Sequence, residues 1–116
     1  KALANVDVLI VQDMTDRHLS RMAEALLPGF SFAESDGTMT NVERRVQRLR
    51  PALQPRGAMR ANWQIAAGIA AAMSGSTAAD WDYRTSAAVF AEITRTVPAY
   101  AGLAYSKLGA GGVRLR

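Results

Sequence analysis

The stretch Val6-Asp7-Val8-Leu9-Ile10-Val11-Gln12-Asp13 decides the fold class. Its β-branched run, closed by polar Gln12 and Asp13, has the pattern of a strand covered on both faces, as in the parallel sheets of α/β proteins. A strand is predicted over 6–12. Downstream, Thr15 is placed to cap a short helix over 15–24, with Asp16 in the first turn and Leu19, Met22 and Ala23 at helical spacing. Ala25-Leu26-Leu27 is a second short apolar run stopped by Pro28-Gly29. Strand, helix and strand in that order make a βαβ unit, whose crossover is right-handed.

Working outward, residues 31–41 are polar and carry a turn signal at Asp36-Gly37, which predicts a shaped loop. From Glu43 the chain reads as an extended segment, with Arg48 and Arg50 on one face and Gln47 and Leu49 on the other. Pro51 and Pro55 place an edge or an exit there. Trp63, Ala66, Ala67, Ala70 and Met73 recur at helical spacing, and Ile65 and Ile69 add a second stripe. The helix expected at about 60–74 is thus apolar around most of its circumference and calls for several packing neighbours. Ser74-Gly75-Ser76-Thr77 ends it. A further helix, about 83–96, sets Ala87, Phe90, Ala91, Thr94 and Val97 on one side, leaves Arg84, Glu92 and Arg95 exposed, and stops at Pro98. Residues 99–108 have room for one more helical turn before the glycine-rich Gly109-Ala110-Gly111-Gly112, read as a flexible loop.

Length and composition narrow the chemistry. At 116 residues, one domain with its own core is expected. The absence of Cys excludes thiol catalysis, Cys-ligated zinc and iron–sulfur clusters within this stretch. The longest nearly unbroken apolar run, Ile65 to Met73, is about half of the ~20 residues a membrane-spanning helix needs. The start at Lys1 and the stop after Leu115 read as the ends of a piece cut from a longer polypeptide.

Isolated candidate residues are weak. His18, the only histidine, falls on the exposed side of a short helix with no triad partner. Glu34 with Asp36, and Asp80 with Asp82, fit loop solvation and capping better than paired acid–base work. Asp13 sits at the carboxyl end of the first strand, where open α/β sheets bind ligands, and also where a carboxylate commonly caps. Arg44, Arg45, Arg48, Arg50, Arg56 and Arg60 have no acid among them and suit either phosphate or a solvated face. Without interleaved aromatics or a known nucleic-acid motif, the solvated face is preferred. No metal-ligand spacing is present.

The block Ala33-Glu34-Ser35-Asp36-Gly37-Thr38-Met39-Thr40-Asn41-Val42-Glu43-Arg44-Arg45-Val46-Gln47 is far more specific. It resembles the molybdopterin oxidoreductase superfamily, as do Val8 to Asp13, Leu26-Leu27-Pro28, Asn62-Trp63 and the tail from Val97 to Val113. The resemblance implies a Rossmann-like α/β domain fragment leading toward a further C-terminal domain, with metal ligand and cluster cysteines elsewhere in the parent. It also implies roles. Gln12 and Asp13 would lie near the nucleotide of molybdopterin guanine dinucleotide, and Ser35 and Asn62 stand where members tend to carry Lys and Asp. Such an Asp accepts two hydrogen bonds from a guanine edge. Exchanging a cation and a carboxylate for neutral groups weakens charge-assisted binding, so the site reads as vestigial. Glu34, Gly37, Thr38, Asn41, Glu43, Arg44 and Gln47 would be structural, with Gly37 supplying a turn and the polar side chains satisfying backbone groups.

On those two departures the branch resembled most is the large subunit of bacterial NADH-quinone oxidoreductase, respiratory complex I, with formate dehydrogenase catalytic subunits next. The first implies a non-catalytic scaffold fragment inside an electron-transport oxidoreductase. Its parent would carry iron–sulfur clusters and sit on the cytoplasmic side of the plasma membrane without inserting into it. Its partners would be the other domains of the same large subunit and the remaining subunits of the complex. The second implies a cofactor-binding piece of a molybdenum or tungsten enzyme. A basic nucleic-acid-binding module is a third reading.

Overall fold

Two strands hydrogen-bond in parallel at the start of the chain: β1 (Ile10–Asp13) and β2 (Ala25–Pro28), in register from Ile10 opposite Ala25 to Asp13 opposite Pro28. The computed structural model describes residues 3–16, 18–75 and 80–115. The chain continues as β3 (Gly37–Thr40), β4 (Arg45–Leu49), α1 (Asn62–Ser74), α2 (Ser86–Thr96) and β5 (Val113–Arg114). The last three strands form an antiparallel sheet in the order β3-β4-β5. This is the expected α/β class, and no helix among the described residues is long and apolar enough to cross a membrane.

Several expectations change. The first strand begins at Ile10, not Val6, and is not covered on both faces: Val8 and Ile10 are 57% and 55% exposed. Among the described residues its one strand neighbour is β2, and the core lies elsewhere. The helix over 15–24 is reduced to a 3₁₀ turn at Ser20–Met22. Asp13 Oδ1 accepts from Thr15 N (3.2 Å) and Thr15 Oγ1 (3.4 Å), and Asp16 accepts from Ser20 Oγ (2.7 Å). These local bonds offer the backbone an alternative to helix. The polar stretch read as a loop contains β3, because four residues of Gly37–Thr40 pair with β4 despite their low hydrophobicity. β4 is the central strand rather than an edge, and Pro51 follows its end as an exit.

α1 matches its predicted span, and Gly75 at φ 57° closes it in a conformation that glycine adopts without strain. The predicted stop at Ser76-Thr77 lies outside the described residues. Its expected neighbours are few: Ile65 is buried, whereas Ile69 and Met73 are exposed. α2 starts where Thr85 Oγ1 accepts from Ala88 N (3.1 Å) and ends before Pro98. Of its predicted apolar side only Phe90 is fully buried, Ala91 and Val97 are exposed, and Glu92 is half-buried. The tail holds two 3₁₀ turns, Pro98–Tyr100 and Tyr105–Lys107. The glycine-rich segment is a turn that leads into β5. Gly112 N donates to Gly109 O (3.1 Å), and a Cβ on Gly112 (φ 66°) would collide with the Val46 carbonyl oxygen.

The core joins β4, α2 and the tail. Val46, Phe90 and Leu108 are buried, with Tyr100, Leu103, Tyr105, Val113 and Leu115 packed around them. Phe90 meets Tyr100 edge-on at 6.4 Å and Tyr105 at 5.9 Å between ring centroids, a geometry that suits aromatic quadrupoles. The β1–β2 half is joined to α1 by backbone bonds on both sides of Arg60: Arg60 N donates to Pro28 O (3.0 Å), and Phe30 N to Arg60 O (2.9 Å).

Candidate functional site

That splice sets the carboxyl end of β1 against the first turn of α1. Gln12 Nε2 donates to Asn62 Oδ1 at 2.8 Å, joining two sequence-predicted site residues 50 positions apart. Gly29 makes room for the pair, since a Cβ there would lie 2.6 Å from Asn62 Oδ1 and 3.4 Å from Gln12 Nε2. Beside them, Gln64 Oε1 accepts from Ala61 N (3.1 Å) and closes the helix entry that alanine cannot cap. Asp13 does not join the pair; its carboxylate holds the Thr15 turn.

Ser35 reaches the same neighbourhood from the other side. With Asn62 and Trp63 it lines an open cavity of about 260 Å³ that extends to Asp36, Ser86 and Phe90. Its hydroxyl donates to Ser31 O (2.7 Å), inside a turn that Glu34 also holds. Glu34 Oε2 accepts from Ser31 N (2.9 Å) and Ser31 Oγ (2.8 Å). Those two bonds, the backbone one foremost, hold the carboxyl below the usual carboxylate range; desolvation opposes them and Arg56 reinforces them.

The remaining motif residues build the β3–β4 turn. Asn41 Oδ1 accepts from Glu43 N (3.0 Å) and Arg45 N (2.9 Å), and Arg44 takes the left-handed backbone (φ 61°) between them. Thr38 and Gln47 sit in strand register opposite Arg48 and Met39. Gly37 does not supply a turn: it opens β3 opposite Leu49 and lacks a positive φ.

Sequence reasoning missed a second polar group at the far end of the cavity. Buried Ser86 donates to Asp36 and shares a 3.0 Å bond with Tyr105 OH; Arg48 lies 3.7 Å from Asp36 and 4.5 Å above the Tyr105 ring. Arg48 Nε is buried and has no hydrogen-bond partner among the described residues. These residues come from the loop before β3, from β4, from α2 and from the tail, so no local spacing could have marked them. The network also takes Arg48 out of the expected solvated arginine face, as does the 3.0 Å bond from Arg45 to Gly111 O. His18 is exposed, and Asp82 pairs with Arg84 at 2.6 Å. No group of three or more His, Cys, Asp or Glu among the described residues is placed to hold a metal ion.

Comparison with known proteins bears on both family and branch. The sequence profile of the molybdopterin oxidoreductase family matches residues 1–72. The chain is 38% identical over 112 residues to the alpha subunit of F420-dependent formate dehydrogenase 1 of Methanococcus maripaludis, covering 97% of this chain and 16% of that protein. It is 34% identical over 114 residues to the alpha subunit of F420-dependent formate dehydrogenase 2 of the same organism, covering 98% of this chain and 17% of that protein. The chain therefore spans about a sixth of the length of these relatives. Both are named as formate dehydrogenase subunits, which overturns the expected assignment to the large subunit of NADH-quinone oxidoreductase. Two substitutions, at Ser35 and Asn62, were too narrow a basis against likeness along nearly the whole chain. With the profile matched over more than half of its residues, this chain belongs to the molybdopterin oxidoreductase family.

Proposed function

We propose that the chain is the part of a formate dehydrogenase catalytic subunit that meets the nucleotide end of molybdopterin guanine dinucleotide. The observation that carries the placement is the Gln12–Asn62 amide pair at the carboxyl end of β1, where parallel sheets bind ligands. Asn62 Oδ1 is taken by Gln12, so Asn62 Nδ2 and Gln12 Oε1 offer one donor and one acceptor, which match a purine edge. The donor set fits a nucleoside and not a metal, so the redox-active end would be held by residues elsewhere in the subunit. When bound, the group supplies the two-electron chemistry of formate oxidation. Here Gln12 and Asn62 would orient the base, and Gly29 keeps their approach clear. In this reading Ser35 and Asn62 keep polar groups where members tend to carry Lys and Asp, and they meet the nucleotide through neutral rather than charge-assisted bonds. The immediate partners in this reading are the remaining domains of the same subunit.

The test uses the full-length protein and its Gln12→Leu and Asn62→Leu variants. Molybdenum or tungsten content, guanine nucleotide released by acid hydrolysis, and formate oxidation are measured on one preparation. Stoichiometric metal and turnover are expected in the parent, with retention lowered about three- to tenfold in each variant, the worth of one hydrogen bond. Absence of both metals in the parent, or unchanged metal and nucleotide in both variants, overturns the reading.

A further inference from the structure

A different cleft, independent of that reading, lies between α1 and α2. It is open, about 270 Å³, and its walls include Trp63, Trp81, Tyr83, Ile93 and Glu92. Both tryptophans of the chain face it. Trp81 is fixed there by its Nε1, which donates to Ser74 Oγ at 3.0 Å in the last turn of α1. Among the described residues lining it, the one charged group is the Glu92 carboxylate, which accepts a hydrogen bond from Tyr83 OH. Arg95 stands 3.8 Å from the same oxygen with a side chain 75% exposed, so water screens its attraction. The Tyr83 phenol is pushed above its ordinary value, mainly by that bond to Glu92, and stays neutral. The cleft therefore joins aromatic walls to a carboxylate whose cationic neighbour among the described residues, Arg95, is largely in water.

That combination discriminates among ligands. A neutral apolar molecule would strip water from Glu92 and return nothing for it. A small, strongly hydrated cation would gain little from indole faces. An alkylated ammonium ion is cationic and apolar at once, and the negative faces of aromatic rings attract it. We propose that the α1–α2 cleft is a binding site for a small alkylated ammonium ion, walled by Trp63, Trp81 and Tyr83 and counter-charged by Glu92.

Choline and its neutral isostere 3,3-dimethylbutan-1-ol separate charge from shape. Each is titrated into the intact protein by calorimetry at matched ionic strength, with tryptophan fluorescence as a second reading. Saturable choline binding is expected, about tenfold tighter than the alcohol. Glu92→Gln, which can still accept from Tyr83, should weaken choline about tenfold and leave the alcohol unchanged. Trp81→Leu, at an exposed position, should weaken choline several-fold and gives a second route if the first variant folds poorly. Equal affinity for the two probes, no saturable choline binding, or choline binding untouched by both substitutions would overturn the proposal.

Discussion

Single side chains decide local geometry here more often than hydrophobicity does. Glu34 is the clearest case, because its carboxylate accepts from both the backbone N–H (2.9 Å) and the hydroxyl (2.8 Å) of Ser31. Its folded value lies below its unfolded one. The stabilising charge is then complete above the ordinary carboxylate range and is lost as the pH falls through the depressed value. Carbon NMR of the Glu34 carboxyl should show a titration below that of a free glutamate, and Ser31→Ala, which removes the hydroxyl bond and keeps the backbone one, should move it part of the way back up. A Glu34 that titrates unchanged in the variant would show that the Ser31 hydroxyl contributes nothing and that the backbone bond alone holds the value down. Residue types of this kind were legible in the sequence, but their partners were not. Gln12 and Asn62 were both singled out, yet nothing in a linear reading placed them 2.8 Å apart.

At the scale of elements, legibility followed length and local consistency. α1 and α2 were read within a few residues because a period of 3.6 persists over three turns and Gly75 and Pro98 mark their ends. β3 was missed because Gly37-Thr-Met-Thr lacks an apolar face, and its pairing is decided by β4 rather than by its own composition. β5, two residues long, carries no period at all. The short helix failed where Asp13 and Asp16 bound neighbouring hydroxyls. Capping works the other way at α2, where Thr85 Oγ1 holds the Ala88 N–H. Thr85→Ala should lower stability by about 1 kcal/mol. Urea denaturation should then show a lower midpoint at unchanged slope, and Thr85→Asp should restore it. A midpoint insensitive to both substitutions would mean that Phe90 packing alone fixes the start of the helix.

The whole molecule is looser than its length requires. A compact chain of this size has a radius of gyration of about 13 Å by the usual scaling, against 16.5 Å here. The cause is lopsided burial: the core gathers on β4, α2 and the tail, while the apolar run before β2 stays outside it. This also explains why the family was legible and its branch was not. The motif block Ala33 to Gln47 carries the family in contiguous residues, whereas the branch depends on similarity spread over nearly the whole chain. The exposed run matters physically, because β-branched side chains on an open two-stranded sheet form a surface that favours association. The chain on its own should accordingly bind an apolar dye such as anilinonaphthalene sulfonate, and Val8→Lys with Ile10→Lys should reduce that binding several-fold while far-ultraviolet dichroism is kept. In the longer subunit proposed above, where the rest of the protein covers this face, the same pair should be destabilising by about 2–4 kcal/mol, since each lysine would bury a charge or displace a packed side chain. Dye binding unaffected by the pair would place the exposed surface elsewhere, on α1 at Ile69 and Met73. Indifference of that subunit to the pair would leave β1 at an uncovered edge there as well.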